Sequence, residues 1–161
     1  MAYHGLDVYL NDHLAGGTAG VNLARMATDE HRSDVHGAFF GEIASEINAD
    51  HETLQRIMAA LGTTRSATKV AAAEIGSKMM APKFKGTEDE LNAFVTLETL
   101  SIGVEGKHLL WQSLKTVEDA YPSLVEFDLD GLIARARDQR QRIEAKRLEL
   151  APHALAHTVK V

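Results

Sequence analysis

FVTLETLSIGVEGKHLLW, residues 94–111, is a mainly apolar run that carries two carboxylates, Glu98 and Glu105. Because they are seven residues apart, close to two helical turns, both side chains lie on one face of a helix. That face also carries Val95, Ile102 and Leu109. The pattern predicts a long helix that buries this face together with its two acids.

Three further segments are predicted to form long helices. Each has apolar residues at three- and four-residue spacing along one side, and no segment shows the alternation of a strand. The predicted helices run from about Leu6 to Ala27, from about Val35 to Leu61, and from Asp128 or Asp130 to about Leu150. Gly62 is predicted to terminate the second. A capping box of Thr87 and Glu90 is predicted to begin the helix around residues 94–111, which ends near Glu118.

Segment lengths predict how the helices connect. The second helix would span roughly 40 Å at 1.5 Å per residue, and residues 63–86 can return along it if they are mostly helical. The first two helices then form one antiparallel hairpin and the last two another, joined by a helical crossover. We therefore expect one all-α domain over residues 1–161, a four-helix bundle, in which residues 152–161 are a flexible tail.

This arrangement resembles the ferritin-like superfamily from about Leu6 to Leu150. The strings NDHLAG (11–16), LETLSIGVEGKHLLW (97–111) and RARDQRQRIEAKR (135–147) are similar to those of uncharacterised bacterial proteins of that class. The superfamily's di-iron pattern takes one Glu from each of two helices and a Glu-x-x-His from each of the other two. One Glu-x-x-His is present, Glu105 with His108, so the resemblance implies the fold and weakens the usual chemistry.

The terminal hairpin offers a structural reason for the two acids. If it folds about Tyr121–Ser123, level residues have numbers that sum to about 245, which pairs Glu98 with Arg147 and Glu105 with Arg140. The two arginines are also seven residues apart. We therefore predict two interhelical ion pairs in the core, which offset one another's desolvation and fix the register of the hairpin.

The alternative interpretation is a metal site. Glu98 and Glu105 would lie roughly 10.5 Å apart along the helix axis, too far to share one ion. The candidate metal site therefore combines Glu105 and His108 with His13 and Asp50, which are level if the first hairpin folds about residues 28–35. The same four side chains could instead form a polar network in the core without metal.

Several other residues ask for an explanation. His31 and His36 fall in or beside a predicted turn and are expected to be solvated. Glycines inside helices destabilise them by up to about 1 kcal/mol each relative to Ala. We favour close helix packing as the reason for them, with a homodimer surface or room for a ligand beside Glu105 as alternatives. The five glycines in question are Gly16, Gly17, Gly20, Gly103 and Gly106.

Composition limits the function. The chain has no cysteine, which excludes disulfides and thiolate chemistry, and its net charge of −6 argues against nucleic acid as a partner. Neither a signal peptide nor a membrane-spanning apolar run is visible, so we expect a cytoplasmic protein. The leading hypothesis is a non-catalytic protein that works by binding or by assembly, for example as a homodimer. The alternative is a ferritin-like oxidoreductase or iron-handling protein that uses iron or manganese.

Overall fold

The computed structural model describes residues 4–66, 69, 71 and 89–156. These residues contain four long helices and no strand, which confirms the predicted all-α class. Two short 3₁₀ turns, Glu118–Ala120 and Pro122–Glu126, join the last two helices. The long helices are α1 (His4–Glu30), α2 (Gly37–Ala60), α3 (Asp89–Thr116) and α4 (Leu129–Leu155).

Local signals determine where helices begin and end. Gly62 follows α2 with φ of 69°, a left-handed conformation that glycine adopts without a steric penalty, as predicted. Asp128 caps α4, since its Oδ1 accepts a hydrogen bond from the backbone N–H of Gly131 at 2.9 Å. The predicted capping box at the start of α3 lies outside the described residues, because Thr87 is not among them.

The last helix continues further than the sequence predicts. It passes through Pro152 to Leu155, so the predicted flexible tail is wrong for residues 152–155. Leu150 and Ala154 are both buried in the core, and their burial outweighs the backbone hydrogen bond that Pro152 removes. The rest of the predicted tail, beyond residue 156, lies outside the described residues.

Two apolar clusters show the directions of the helices. One cluster joins the C-terminal half of α1 and the N-terminal half of α2 to the start of α3 and the end of α4. The other joins the opposite halves of all four helices. Helices α1 and α4 therefore run one way and α2 and α3 the other. Each hairpin is antiparallel, and α2 ends at the opposite end of the bundle from where α3 begins. The predicted helical crossover between them lies mostly outside the described residues.

The buried face is predicted correctly for α2 and wrongly for α3. On α2 the side with apolar residues at three- and four-residue spacing is buried, apart from Leu61 at its end, and Asp50 lies on this side. On α3, Ile102 is 70% exposed and Leu109 is 51% exposed. Helix α3 is rotated about its axis relative to the prediction. Burying the two carboxylates would be costly, whereas the neighbouring face carries larger apolar side chains and no acid. That face consists of Phe94, Leu97, Leu100, Val104, Trp111 and Leu114.

No helix among the described residues has the length and apolarity needed to cross a bilayer.

Candidate functional site

The two predicted ion pairs are in contact, but they lie at the surface. Arg147 Nη1 is 3.4 Å from Glu98 Oε2, and Arg140 Nε is 3.2 Å from Glu105 Oε2. The side chains of Glu98 and Glu105 are 54% and 40% exposed, so the prediction of buried acids is wrong. Solvated pairs of this kind contribute about 0–1 kcal/mol, and they fix the register of the hairpin only weakly.

The four side chains of the candidate metal site do not come together. His108 Nδ1 lies 3.8 Å from Glu105 Oε2, but His13 instead packs edge-on against Tyr9, with ring centroids 4.5 Å apart. Asp50 is held by side chains of α3 and α4. Across the described residues no group of three or more His, Asp or Glu side chains is placed to hold a metal ion.

The register of the first hairpin explains part of this difference. Helix α1 extends to Glu30 and α2 begins at Gly37, so the turn spans residues 31–36 and its centre lies about two residues later than that of the predicted turn, 28–35. As a result His51 faces Gly17 and Thr18, and His51 Nε2 lies 3.4 Å from Thr18 Oγ1. His13 is therefore not level with Asp50.

Asp50 is the centre of a buried polar cluster that links α2, α3 and α4. Its carboxylate is 1% exposed, and its Oδ2 accepts hydrogen bonds from Lys107 Nζ at 2.5 Å and Gln139 Nε2 at 3.1 Å. Its Oδ1 accepts from an Arg135 guanidinium nitrogen. Lys107 Nζ also donates to Gln139 Oε1 at 2.5 Å. We call Asp50, Lys107, Arg135 and Gln139 the Asp50 cluster.

The position of Lys107 changes its ionisation. Burial lowers the pKa of the Lys107 ammonium, because a desolvated cation is less stable, and the nearby Arg135 guanidinium lowers it further. The Asp50 carboxylate opposes this effect and favours the ammonium. The cluster is therefore an ion pair that is held by hydrogen bonds inside the bundle.

A cavity of about 350 Å³ lies beside the Asp50 cluster, between α1, α2 and α3. Asp50 and Lys107 form part of its wall, as do the imidazoles of His13 and His51. The rest of the wall is mainly apolar. Its larger side chains are Leu23, Ile47, Leu54, Leu100, Leu110 and Trp111.

The five glycines singled out in the sequence all line this cavity. Among the described residues, a Cβ atom at Gly16, Gly20, Gly103 or Gly106 would have no neighbour within 4 Å. The favoured interpretation, close helix packing, is therefore wrong for these four. At Gly17 a Cβ would lie 2.8 Å from His51 Nδ1, so this glycine does allow a close approach. The open space lies beside Lys107 and not, as the alternative proposed, beside Glu105.

Two residues of the wall have polar atoms without partners in the part of the chain that the structure describes. The indole Nε1 of Trp111 and the Nδ1 of His51 are both buried and make no hydrogen bond there. Burial lowers the pKa of His51, and the charge of Arg65 lowers it further. Burial likewise lowers the pKa of His13. Both rings therefore favour the neutral form, and the cavity wall offers unpaired donors and acceptors at a few points only.

Three members of the Asp50 cluster were not predicted from the sequence, namely Lys107, Arg135 and Gln139. One signal was available for Gln139. Because level residues of the terminal hairpin have numbers that sum to about 245, Lys107 is level with residue 138, which is next to Gln139. No comparable signal identified Arg135 as a partner of Asp50. That contact depends on how the two hairpins pack against each other, which the spacing within a hairpin does not determine.

The expectation for His31 and His36 is also wrong. They are 2% and 8% exposed, and His31 Nδ1 lies 2.6 Å from Asp34 Oδ2. The His31 ring stacks on Phe40 with centroids 5.0 Å apart. This cluster packs the α1–α2 connection onto the core, and none of its residues lines the cavity.

The cavity has the general features of a small-molecule site. Such sites occupy roughly 300–1,000 Å³ and have mainly apolar walls with a few convergent polar groups, often including one with a shifted pKa. No protein family, curated protein or solved structure matches the chain. The function is therefore argued from the cavity and from the residues that form it.

Proposed function

We propose that this chain is a non-catalytic binding protein that holds a small, mainly apolar molecule in the cavity between α1, α2 and α3. The observation that carries the proposal is the set of four glycines in the cavity wall, which are Gly16, Gly20, Gly103 and Gly106. Four glycines on two facing helices leave space where larger side chains would fit without a clash. Each weakens its helix by up to about 1 kcal/mol relative to Ala, and no close helix packing at these positions offsets this loss.

The charges near the cavity support binding in preference to catalysis. Lys107 is held by both Asp50 and Gln139, and Glu105 pairs with Arg140. These groups are already engaged in contacts that hold the bundle together. The apolar side chains opposite them supply the area that a small ligand would bury, and this burial would provide most of the affinity.

The directions of the helices support a ferritin-like architecture for this binding protein. Because α2 and α3 run the same way, the chain between them has to return along the bundle, as in ferritin-like folds with one long crossover. In such bundles ligand and cofactor sites lie between facing helices, as this cavity does, although the exposed Ile102 and Asp12 also line it.

Trp111 makes the proposal testable without a label, since it is the one tryptophan of the chain and it lines the cavity. We would titrate the protein with decanol, decanoate and decylamine and follow the Trp111 fluorescence, with calorimetry as a second measurement. We expect a saturable change with at least one of these probes. Absence of saturable binding for all three would overturn the proposal.

A matched pair of variants tests where the probe binds. Gly20→Leu places a side chain at the cavity wall, and we expect it to abolish binding. Gly5→Leu makes the same change in the same helix, at an exposed position outside the cavity where a Cβ also meets nothing within 4 Å, and we expect unchanged binding. Equal effects of the two substitutions would show that the probe binds elsewhere.

A further inference from the structure

The hydrogen bonds of the Asp50 cluster leave a surplus of donors. A lysine ammonium has three N–H groups, and Lys107 uses two, for Asp50 Oδ2 and Gln139 Oε1. The oxygens of Asp50 already accept three bonds, from Lys107, Gln139 and Arg135. Within the described residues the third N–H of Lys107 meets no protein acceptor. The third N–H of Lys107 is therefore left for another acceptor, and Lys107 forms part of the cavity wall.

The same cluster carries a formal net charge of +1. One carboxylate, Asp50, faces two cations, the buried Lys107 and the 42% exposed Arg135, whose charge solvent partly screens. Glu46 also acts on Lys107, but it is paired with Arg142 at 2.7 Å. The other partners of Arg142 are exposed acids on the outer surface, where solvent screens their charge.

One other polar group of the wall, the indole N–H of Trp111, is also a donor without a partner among the described residues. The Nδ1 of His51 is likewise unpaired, but it lies against Gly17. Asp12 is the second acid of the wall, but it is exposed and pairs with Lys69 at 2.6 Å. An acceptor with negative charge would therefore satisfy what the buried part of the wall lacks.

We infer that the ligand is an anionic amphiphile, with an apolar chain against the leucines and glycines and a carboxylate facing Lys107. This inference rests on the proposed function. The carboxylate would accept the third N–H of Lys107 in a charge-assisted hydrogen bond. It would also bring the formal charge of the cluster from +1 to zero. A cationic amphiphile would instead add to the surplus of positive charge.

Decanoate, decanol and decylamine share one chain and differ in the charge of the head group, so their relative affinities test the inference. At neutral pH we expect decanoate to bind about tenfold more tightly than decanol, as a charge-assisted hydrogen bond would give, and decylamine to bind most weakly. Decanol that binds as tightly as decanoate, or decylamine that binds more tightly, would overturn the inference and leave the binding function intact. Failure of all three would overturn both.

A lysine variant identifies the group that recognises the head. Lys107→Met removes the ammonium and keeps most of the apolar stem, while Asp50 retains Arg135 and Gln139. We expect the preference for decanoate over decanol to disappear and the affinity for decanol to persist. Lys115→Met is the control on the same helix, because Lys115 lies outside the cavity wall and pairs with Glu118. A decanoate preference that survives Lys107→Met would overturn the inference. If this variant does not fold, the comparison of the three probes on the parent protein decides alone.

Discussion

Lys107 and Asp50 form an ion pair inside the bundle, with 2.5 Å between Nζ and Oδ2 and with side chains that are 15% and 1% exposed. The pair connects α3 with α2, and Gln139 of α4 bonds to both partners. Removing one partner of a buried ion pair destabilises a protein more than replacing both, because the remaining charge stays buried without compensation.

The first prediction concerns Asp50. Asp50→Ala should lower the free energy of unfolding by about 3–5 kcal/mol, since Lys107 is then buried without its counter-ion. Urea denaturation measures this loss. The matched control is Asp12→Ala, which removes an exposed acid that also pairs with a lysine, and we expect a loss below about 1 kcal/mol.

A double variant distinguishes two causes of the stability loss in Asp50→Ala, the buried Lys107 charge without its counter-ion and the packing lost with the Asp50 side chain. In Asp50→Ala/Lys107→Met the buried charge is absent on both sides, and we expect it to be more stable than Asp50→Ala alone. If the double variant is no more stable, the loss in Asp50→Ala comes from the cavity that the smaller side chain leaves.

The second prediction concerns Glu98. Because Glu98 is half exposed and Arg147 keeps Glu144 at 2.9 Å, Glu98→Ala should lower the free energy of unfolding by less than about 1 kcal/mol. A buried Glu98 would have made this loss several times larger. A loss above about 2 kcal/mol in urea denaturation would contradict the surface position of the pair.

The sequence predicts the helices and the register of the terminal hairpin because both depend on local signals. The position of the Tyr121–Ser123 turn determines which residues of α3 and α4 are level, so Glu98 and Arg147 were paired correctly. The buried face of α3 was not predictable from periodicity alone, since two overlapping stripes of this helix are apolar. The choice between them depends on the cost of desolvating Glu98 and Glu105.

The cavity could be predicted only in part. Glycines inside a helix signal either a close approach or an open space, and the sequence does not distinguish these two outcomes. At Gly17 a neighbouring His51 fills the space, whereas at Gly20 nothing does. The contact of Asp50 with Arg135 likewise depends on how two hairpins pack, which no spacing along the chain encodes.

The third prediction concerns pH. Burial lowers the pKa of His13 and His51 below the ordinary histidine value of about 6.5, so the unfolded chain binds more protons than the folded one between the lowered and the ordinary pKa. The free energy of unfolding should therefore fall as the pH decreases through 6.5. Urea denaturation at about pH 7.5 and about pH 5, above the range in which most carboxylates titrate, measures the difference.

Variants assign this pH dependence to the cavity. His51→Asn removes one of the two titrating rings and should reduce the loss of stability between the two pH values. His153→Asn changes an exposed ring near the end of α4 and is the control. Equal pH dependence in the parent and in His51→Asn would show that the His51 ring takes no part in it.

The fourth prediction compares two glycines of α2 that differ in their surroundings. A Cβ at Gly37 would overlap the backbone carbonyl oxygen of His31, which cannot move without shifting the turn, whereas a Cβ at Gly41 would lie 3.8 Å from Thr28 Cγ2, an ordinary contact. Gly41→Ala should raise the free energy of unfolding by up to about 1 kcal/mol through helix propensity. Gly37→Ala should lower it by about 1–3 kcal/mol through overpacking. Urea denaturation of both variants checks this, and stabilisation by Gly37→Ala would show that the turn holding His31 is looser than the packing of its ring on Phe40 indicates.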